Sequence, residues 1–188
     1  LRTWRDHCWV QSYQQWRSLA DNDAFWNCVA ARAREMDDPR LTTGAVRRMR
    51  QTLPVMLLTI GVRLAMRAAN AGNEADVRRH LLYIRKGGFD LSLATRIVEQ
   101  NLGPLIEQLK LLCEPIAAAC KAKPAEGAEL ARRCLVETRP LITSIDVILN
   151  HHHHLRQLAH DAVARTIRDC MIDFGNSTEN WGACVDIL

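Results

Sequence analysis

The sequence predicts an all-α fold, an irregular, repeat-like stack of antiparallel helical hairpins with about eight to ten helices. Three observations predict it. Apolar residues recur at spacings of three and four along most of the 188 residues, the period of an amphipathic helix. Strict alternation of Val, Ile and Thr is missing, and Phe and Tyr together number five, so little argues for a sheet. Between the periodic stretches stand helix-capping and turn signals such as Asp21-Asn22-Asp23, Ala71-Gly72-Asn73 and Gly87-Gly88.

Taken in order, Trp9, Tyr13, Trp16 and Ala20 form one stripe on a first helix over residues 2–19, and Phe25, Val29 and Met36 mark a second that ends before Asp38-Pro39. Thr42-Thr43 caps a long third segment, whose apolar face reads as Val46, Met49, Leu53, Leu57, Ile60, Leu64 and Ala68. Asn73 caps a short helix carrying Val77, Leu81 and Ile84, and Asp90 caps one carrying Ala94, Ile97 and Val98. Gly103-Pro104 then punctuates, Leu105 to Cys120 resumes the stripe, residues 128–149 give another apolar face, and residues 150–154 form a loop. A helix through Ala159, Val163, Ile167 and Cys170 stops at Gly175-Asn176, and Trp181 to Leu188 starts one more. Pro54, Pro104, Pro115 and Pro140 are each expected at a helix start or a kink, because proline lacks an N–H and clashes with the preceding turn. The whole reads as one helical domain over residues 1–188, with a sub-boundary near 88–90. Its apolar final residues, Val-Asp-Ile-Leu, read as an excised piece of a longer protein.

Two segments share a layout. One runs from Leu64-Ala65 through Ala71-Gly72-Asn73 to Ala75, Val77 and Leu81; the other runs from Ile167 and Cys170 through Phe174-Gly175-Asn176 to Trp181, Ala183, Val185 and Leu188. Both resemble the tetratricopeptide pattern, a helix with small inner residues, a Gly-Asn turn and a second helix that approaches closely. The resemblance covers about 60 residues and implies a concave surface that binds another protein.

Composition bounds function. The net charge of +4 is uneven: residues 1–100 hold 16 Lys/Arg against 10 Asp/Glu, and residues 47–86 hold nine against two. Arg47, Arg48, Arg50, Arg63, Arg67, Arg78, Arg79, Arg85 and Lys86 therefore form a candidate basic face for an acidic protein segment or, in the alternative reading, for nucleic acid. Stacking aromatics are scarce there, which favours protein. Trp181, Val185 and Leu188 form a candidate apolar edge for a partner. The aromatic stripe of Trp4, Trp9, Tyr13, Trp16 and Trp26 reads first as core and second as an exposed anchor.

Seven cysteines without framework spacing read as reduced thiols in a cytoplasmic protein. The longest apolar run, Leu53 to Val62, is about half of what a bilayer requires, so no membrane contact is expected. His151 to His154, with His160 nearby, supply metal-ligand chemistry, but adjacent residues on a loop diverge, and the tract reads as solvated rather than metal-binding. His7 beside Cys8 faces elsewhere on a helix. Without a hydrolase, metalloprotease, phosphate-loop or dinucleotide motif, neither a catalytic residue nor a cofactor is assigned. The expectation is a non-catalytic protein–protein interaction module, a scaffold or adaptor region of a larger chaperone-type or regulatory protein. Its partner is another protein or a neighbouring domain.

Overall fold

The computed structural model describes residues 2–36 and 38–185, and every regular element among them is helical. Helices α1 (Arg2–Asp21), α2 (Asp23–Met36), α3 (Thr43–Asn70), α4 (Glu74–Lys86) and α5 (Leu91–Ala122) come first. A 3-10 turn (Pro124–Glu126) then precedes α6 (Gly127–Ile148), α7 (His154–Thr178) and the five-residue α8 (Trp181–Val185). Seven long helices thus replace the eight to ten expected. The chain divides into two compact units, Leu1–Asn101 and Leu102–Leu188. Gly87-Gly88 ends α4, and the division falls later, within α5.

The shortfall in helix number arises at two places: Gly103-Pro104 does not divide α5, and the last helix is the five-residue α8; no proline begins a long helix. Pro54 lies inside α3, Pro104 and Pro115 inside α5, and Pro140 inside α6. Pro104, Pro115 and Pro140 are exposed, so water can take the carbonyls that lose a partner one turn earlier, and the helix continues at reduced cost. Gly175-Asn176 does not stop α7 either. The helix ends three residues on, where Glu179 adopts φ 58° and its N–H returns to the Gly175 carbonyl.

In the first unit, local chemistry sets the helix ends. Thr42 Oγ1 accepts from the Ala45 N–H at 3.2 Å, and Asn73 Oδ1 accepts from the Asp76 N–H at 3.1 Å. Gly72, at φ +69°, turns α3 into α4. The two helices meet closely at Gly61, where a methyl group would stand 3.3 Å from Ile84. Leu58, Val62, Ile84, Ala94 and Ile97 form one core cluster, and Trp26, Ala33 and Val46 a second. Burial of each leucine, isoleucine or valine among them stabilises by about 1.5–3 kcal/mol. Trp26 anchors α2 by donating Nε1–H to the Ala20 carbonyl at 3.0 Å. Tyr13 is buried edge-on to Tyr83 and Phe89, and the Arg17 guanidinium lies over Phe89 while donating to the Gly88 carbonyl at 2.9 Å. Of the expected aromatic stripe, Tyr13, Ala20 and Trp26 are core, whereas Trp16 is exposed; the side chains of Trp4 and Trp9 lie outside the described residues.

Helix α3 is long and apolar enough to cross a membrane by length and composition, the one such helix among the described residues. Its uncharged stretch, Gln51 to Val62, spans about 18 Å at 1.5 Å per residue, against a hydrocarbon thickness of about 30 Å. Leu58, Val62 and Ala65 are buried against the unit's own helices.

In the second unit, α6 and α7 form an antiparallel hairpin packed with the C-terminal part of α5. Leu102, Leu109, Ile116, Ala131, Ile145, Ala159 and Met171 are buried in it. Gly127, at the start of α6, lies against α7: a methyl group there would stand 2.4 Å from the Cys170 carbonyl oxygen. At the same end of the hairpin, one residue beyond Phe174, the Trp181 ring covers Gly175, whose added Cβ would meet it at 2.5 Å.

Candidate functional site

The nine basic residues of the 47–86 stretch fall into two groups. Arg50 pairs with Asp23 at 2.6 Å, Arg79 with Asp76 at 2.8 Å and Arg78 with Glu74 at 3.7 Å. Arg47, Arg48, Arg63, Arg67, Arg85 and Lys86 are exposed and have no ion pair among the described residues. Arg63 and Arg67 stand one turn apart on α3. On α4, Arg78 with Arg85 and Arg79 with Lys86 repeat at seven residues and so occupy two separate strips. Arg47 and Arg48 lie in the first two turns of α3.

Beside those first turns is an apolar groove of about 300 Å³ between α2 and α3. Phe25, Val29, Ala33, Leu41 and Val46 line it, and Arg32, Met36 and Met49 stand at its edges. Met36 is 56% exposed and Met49 50%. The exposed apolar strip continues along α3 through Met56 and Ile60. Met49 and Ile60 were expected inside. The apolar run from Leu53 to Val62 surrounds the helix, so its period fits more than one rotation, and the close contact of Gly61 with Ile84 selects Leu57, Leu58, Gly61, Val62, Ala65 and Ala69 as the buried face. The sequence carried no local signal for the groove, because buried Ala33 and Val46 stand beside arginines just as exposed Met49 does.

The histidine tract is a turn leading into α7. His153 caps that helix, its Nδ1 accepting from the Leu155 N–H at 3.3 Å, and His151 Nδ1 lies 3.1 Å from the Arg156 guanidinium. Asp146 Oδ1 accepts from Arg156 Nε at 2.6 Å and stands 2.7 Å from His160 Nε2. These contacts join residues from α6 and α7 that sequence distance had kept apart.

All seven cysteines are free, and Cys113, Cys120, Cys134, Cys170 and Cys184 are buried. Two thiol pairs cross between helices, Cys113 with Cys134 and Cys120 with Cys170. Burial, reinforced by the neighbouring thiol, pushes Cys134 and Cys170 up to about 12, and burial likewise raises Cys120. Neutral thiols of this kind are poor nucleophiles. Among the described residues no three of these sulfurs lie within 4.8 Å of one another.

At the expected apolar edge, Trp181 is 51% exposed while its ring covers Gly175 on α7. The side chain of Val185 and all of Leu188 lie outside the described residues. Compared with known proteins, the chain matches no family model, no curated sequence and no solved structure.

Proposed function

We propose that this chain is a non-catalytic protein–protein interaction module that receives an acidic amphipathic helix in the α2–α3 groove. One observation carries the reading: an apolar groove bordered by two half-exposed methionines, with cations beside it that have no ion pair among the described residues. Methionine is unbranched and polarizable, so a surface edged with it adapts to a bound helix. Arg47 and Arg48 favour an acidic ligand over a basic one, and Arg63 and Arg67 extend that preference along α3. In this reading the α3–α4 and α7–α8 hairpins are degenerate tetratricopeptide-like units of a scaffold or adaptor in a larger cytoplasmic protein. Trp181, Val185 and Leu188 would then contact the next domain or partner.

The test is fluorescence anisotropy with three probes: an acidic amphipathic helical peptide, its basic counterpart and a single-stranded RNA. The acidic peptide is expected to bind. Met36→Glu combined with Met49→Glu, and separately Arg47→Glu combined with Arg48→Glu, should each weaken it by about tenfold or more. The second reading, a nucleic-acid function, draws on the six cations that have no ion pair among the described residues, and it would appear as RNA binding that falls steeply with salt. RNA binding with indifference to the methionine substitutions would overturn the proposal, and so would equal binding of both peptides.

A further inference from the structure

The second unit holds an apolar groove on the outer side of the α6–α7 hairpin, about 510 Å³ in volume. Leu135 and Ile142 of α6 form one wall, and Val163, Ala164 and Ile167 of α7 form the other. Two of its lining groups can carry positive charge, Arg139 and His160. Arg139 is exposed and has no ion pair among the described residues. His160 is held by Asp146 at 2.7 Å, and Asp146 is balanced by Arg156 at 2.6 Å. The ring is therefore oriented by a carboxylate whose charge is already compensated.

The register of the hairpin orders these groups. The contacts of Asp146 with Arg156 and His160 bring the C-terminal part of α6 beside the start of α7, which sets Ile142 level with His160 and Leu135 level with Ile167. One end of the groove, nearer the turn, is closed by His160 with Arg139 a turn away; the other is closed by aliphatic side chains. From Leu135 to Ile142, and equally from His160 to Ile167, the groove runs about 10 Å along the helices at 1.5 Å per residue. That is two turns, room for one set of helix anchors at i, i+3, i+4 and i+7 and no more. It matches an extended chain of about eight carbons, which advances roughly 1.25 Å per bond. The volume lies in the ordinary range for a small-molecule site, mostly apolar with a few placed polar groups.

We infer that the α6–α7 groove is a binding site for a medium-chain aliphatic carboxylate, its tail against Leu135, Val163 and Ile167 and its carboxylate beside Arg139 and His160. The inference does not rest on the α2–α3 groove. A charged donor aligned with a carboxylate gives a stronger hydrogen bond than a neutral pair, so a carboxylate is preferred over an alcohol of equal length.

Titration calorimetry of the 188-residue protein with octanoate, octanol and octylammonium, each below its micelle concentration, tests it. Octanoate is expected to bind about tenfold tighter than octanol, and octylammonium weakest. Arg139→Gln should bring octanoate to the level of octanol and leave octanol unchanged. Ala164→Trp, at an exposed position on the groove wall, should abolish both, with circular dichroism reporting that the helices remain. Met36→Glu with Met49→Glu, in the other groove, should change nothing. Equal affinity for the three ligands would overturn the inference, as would octanoate binding that survives Ala164→Trp. Failure of octanoate with A164W-sensitive capture of an acidic amphipathic peptide would overturn it too, assigning the groove to a protein partner.

Discussion

The α3–α4 hairpin of the first unit and the α6–α7 hairpin of the second both rely on a glycine where helices approach, yet the two glycines face different neighbours. Gly61 looks onto the aliphatic tip of Ile84 at 3.3 Å, whereas Gly127 looks onto the backbone carbonyl of Cys170 at 2.4 Å. A side chain can rotate away from an added methyl group; a carbonyl inside a helix cannot move without moving the helix. Closeness alone does not say how much a glycine matters. What it is close to does.

Alanine at each site breaks or sharpens this comparison. Gly127→Ala is expected to cost about 3 kcal/mol, at the upper end for overpacking. Gly61→Ala is expected to fall between neutral and about 1 kcal/mol of stabilisation, because alanine is the better helix former and Ile84 can give way. Urea unfolding of the two variants measures the difference. Equal effects would mean that the second hairpin opens as readily as the first.

The cores differ in what alkali does to them. Cys134 and Cys170 are pushed up to about 12 by burial, so in the native second unit they stay protonated where the unfolded chain ionises. The folded value lies above the unfolded one, and the stabilisation is complete below pH 9 and disappears as pH rises from about 9 towards 12. Among the described residues the first unit has a single comparable group, Tyr13, whose hydroxyl is also raised by burial, and its weakening starts only above the ordinary tyrosine value near 10. Between pH 9 and 11 the urea midpoint is expected to fall by the equivalent of about 2 kcal/mol for each of the two thiols, at most. Cys134→Ala combined with Cys170→Ala should flatten that fall. An unchanged slope in the double variant would place the alkaline sensitivity elsewhere.

How far these differences were legible in the sequence depends on the range of the interaction. The caps were readable, because Thr42, Asn73 and Asp90 act on N–H groups three residues away. The rotation of α3 was not, since Leu53 to Val62 is apolar on every side and only Ile84, more than twenty residues later, chooses the inward face. Of the two outcomes expected at proline, a start or a kink, the start does not occur: Pro104, Pro115 and Pro140 lie inside helices, where exposure to solvent removes much of the penalty that a buried ring would carry. The basic stretch was legible as composition, but which cations keep a carboxylate and which are left to a partner was decided by tertiary neighbours such as Asp23 beside Arg50. The α6–α7 groove left no local signature at all, because Arg139 and His160 meet only through the hairpin.

The smallest expected difference concerns the ion pairs. Arg79 and Asp76 lie three residues apart on α4, with the arginine side chain 46% exposed. Such a pair holds long side chains in a wet, screened setting and contributes little, so Arg79→Ala is expected to cost less than about 0.5 kcal/mol and to lose even that in high salt. Arg156 reaches across the second hairpin to Asp146, and both side chains are mostly covered. Removing it leaves a half-buried carboxylate with only His160, and takes away a contact that joins α6 to α7 rather than one turn of a helix to the next. Arg156→Ala is expected to cost about 1 kcal/mol, the worth of a partly sheltered, charge-assisted hydrogen bond, and to keep most of that cost at high salt because little solvent reaches the pair. Paired urea titrations at low and high ionic strength read both numbers. If the two variants lose the same amount and respond alike to salt, the Asp146 contacts do not fix the register of α6 and α7, and the alignment of Ile142 with His160 has to come from the apolar packing alone.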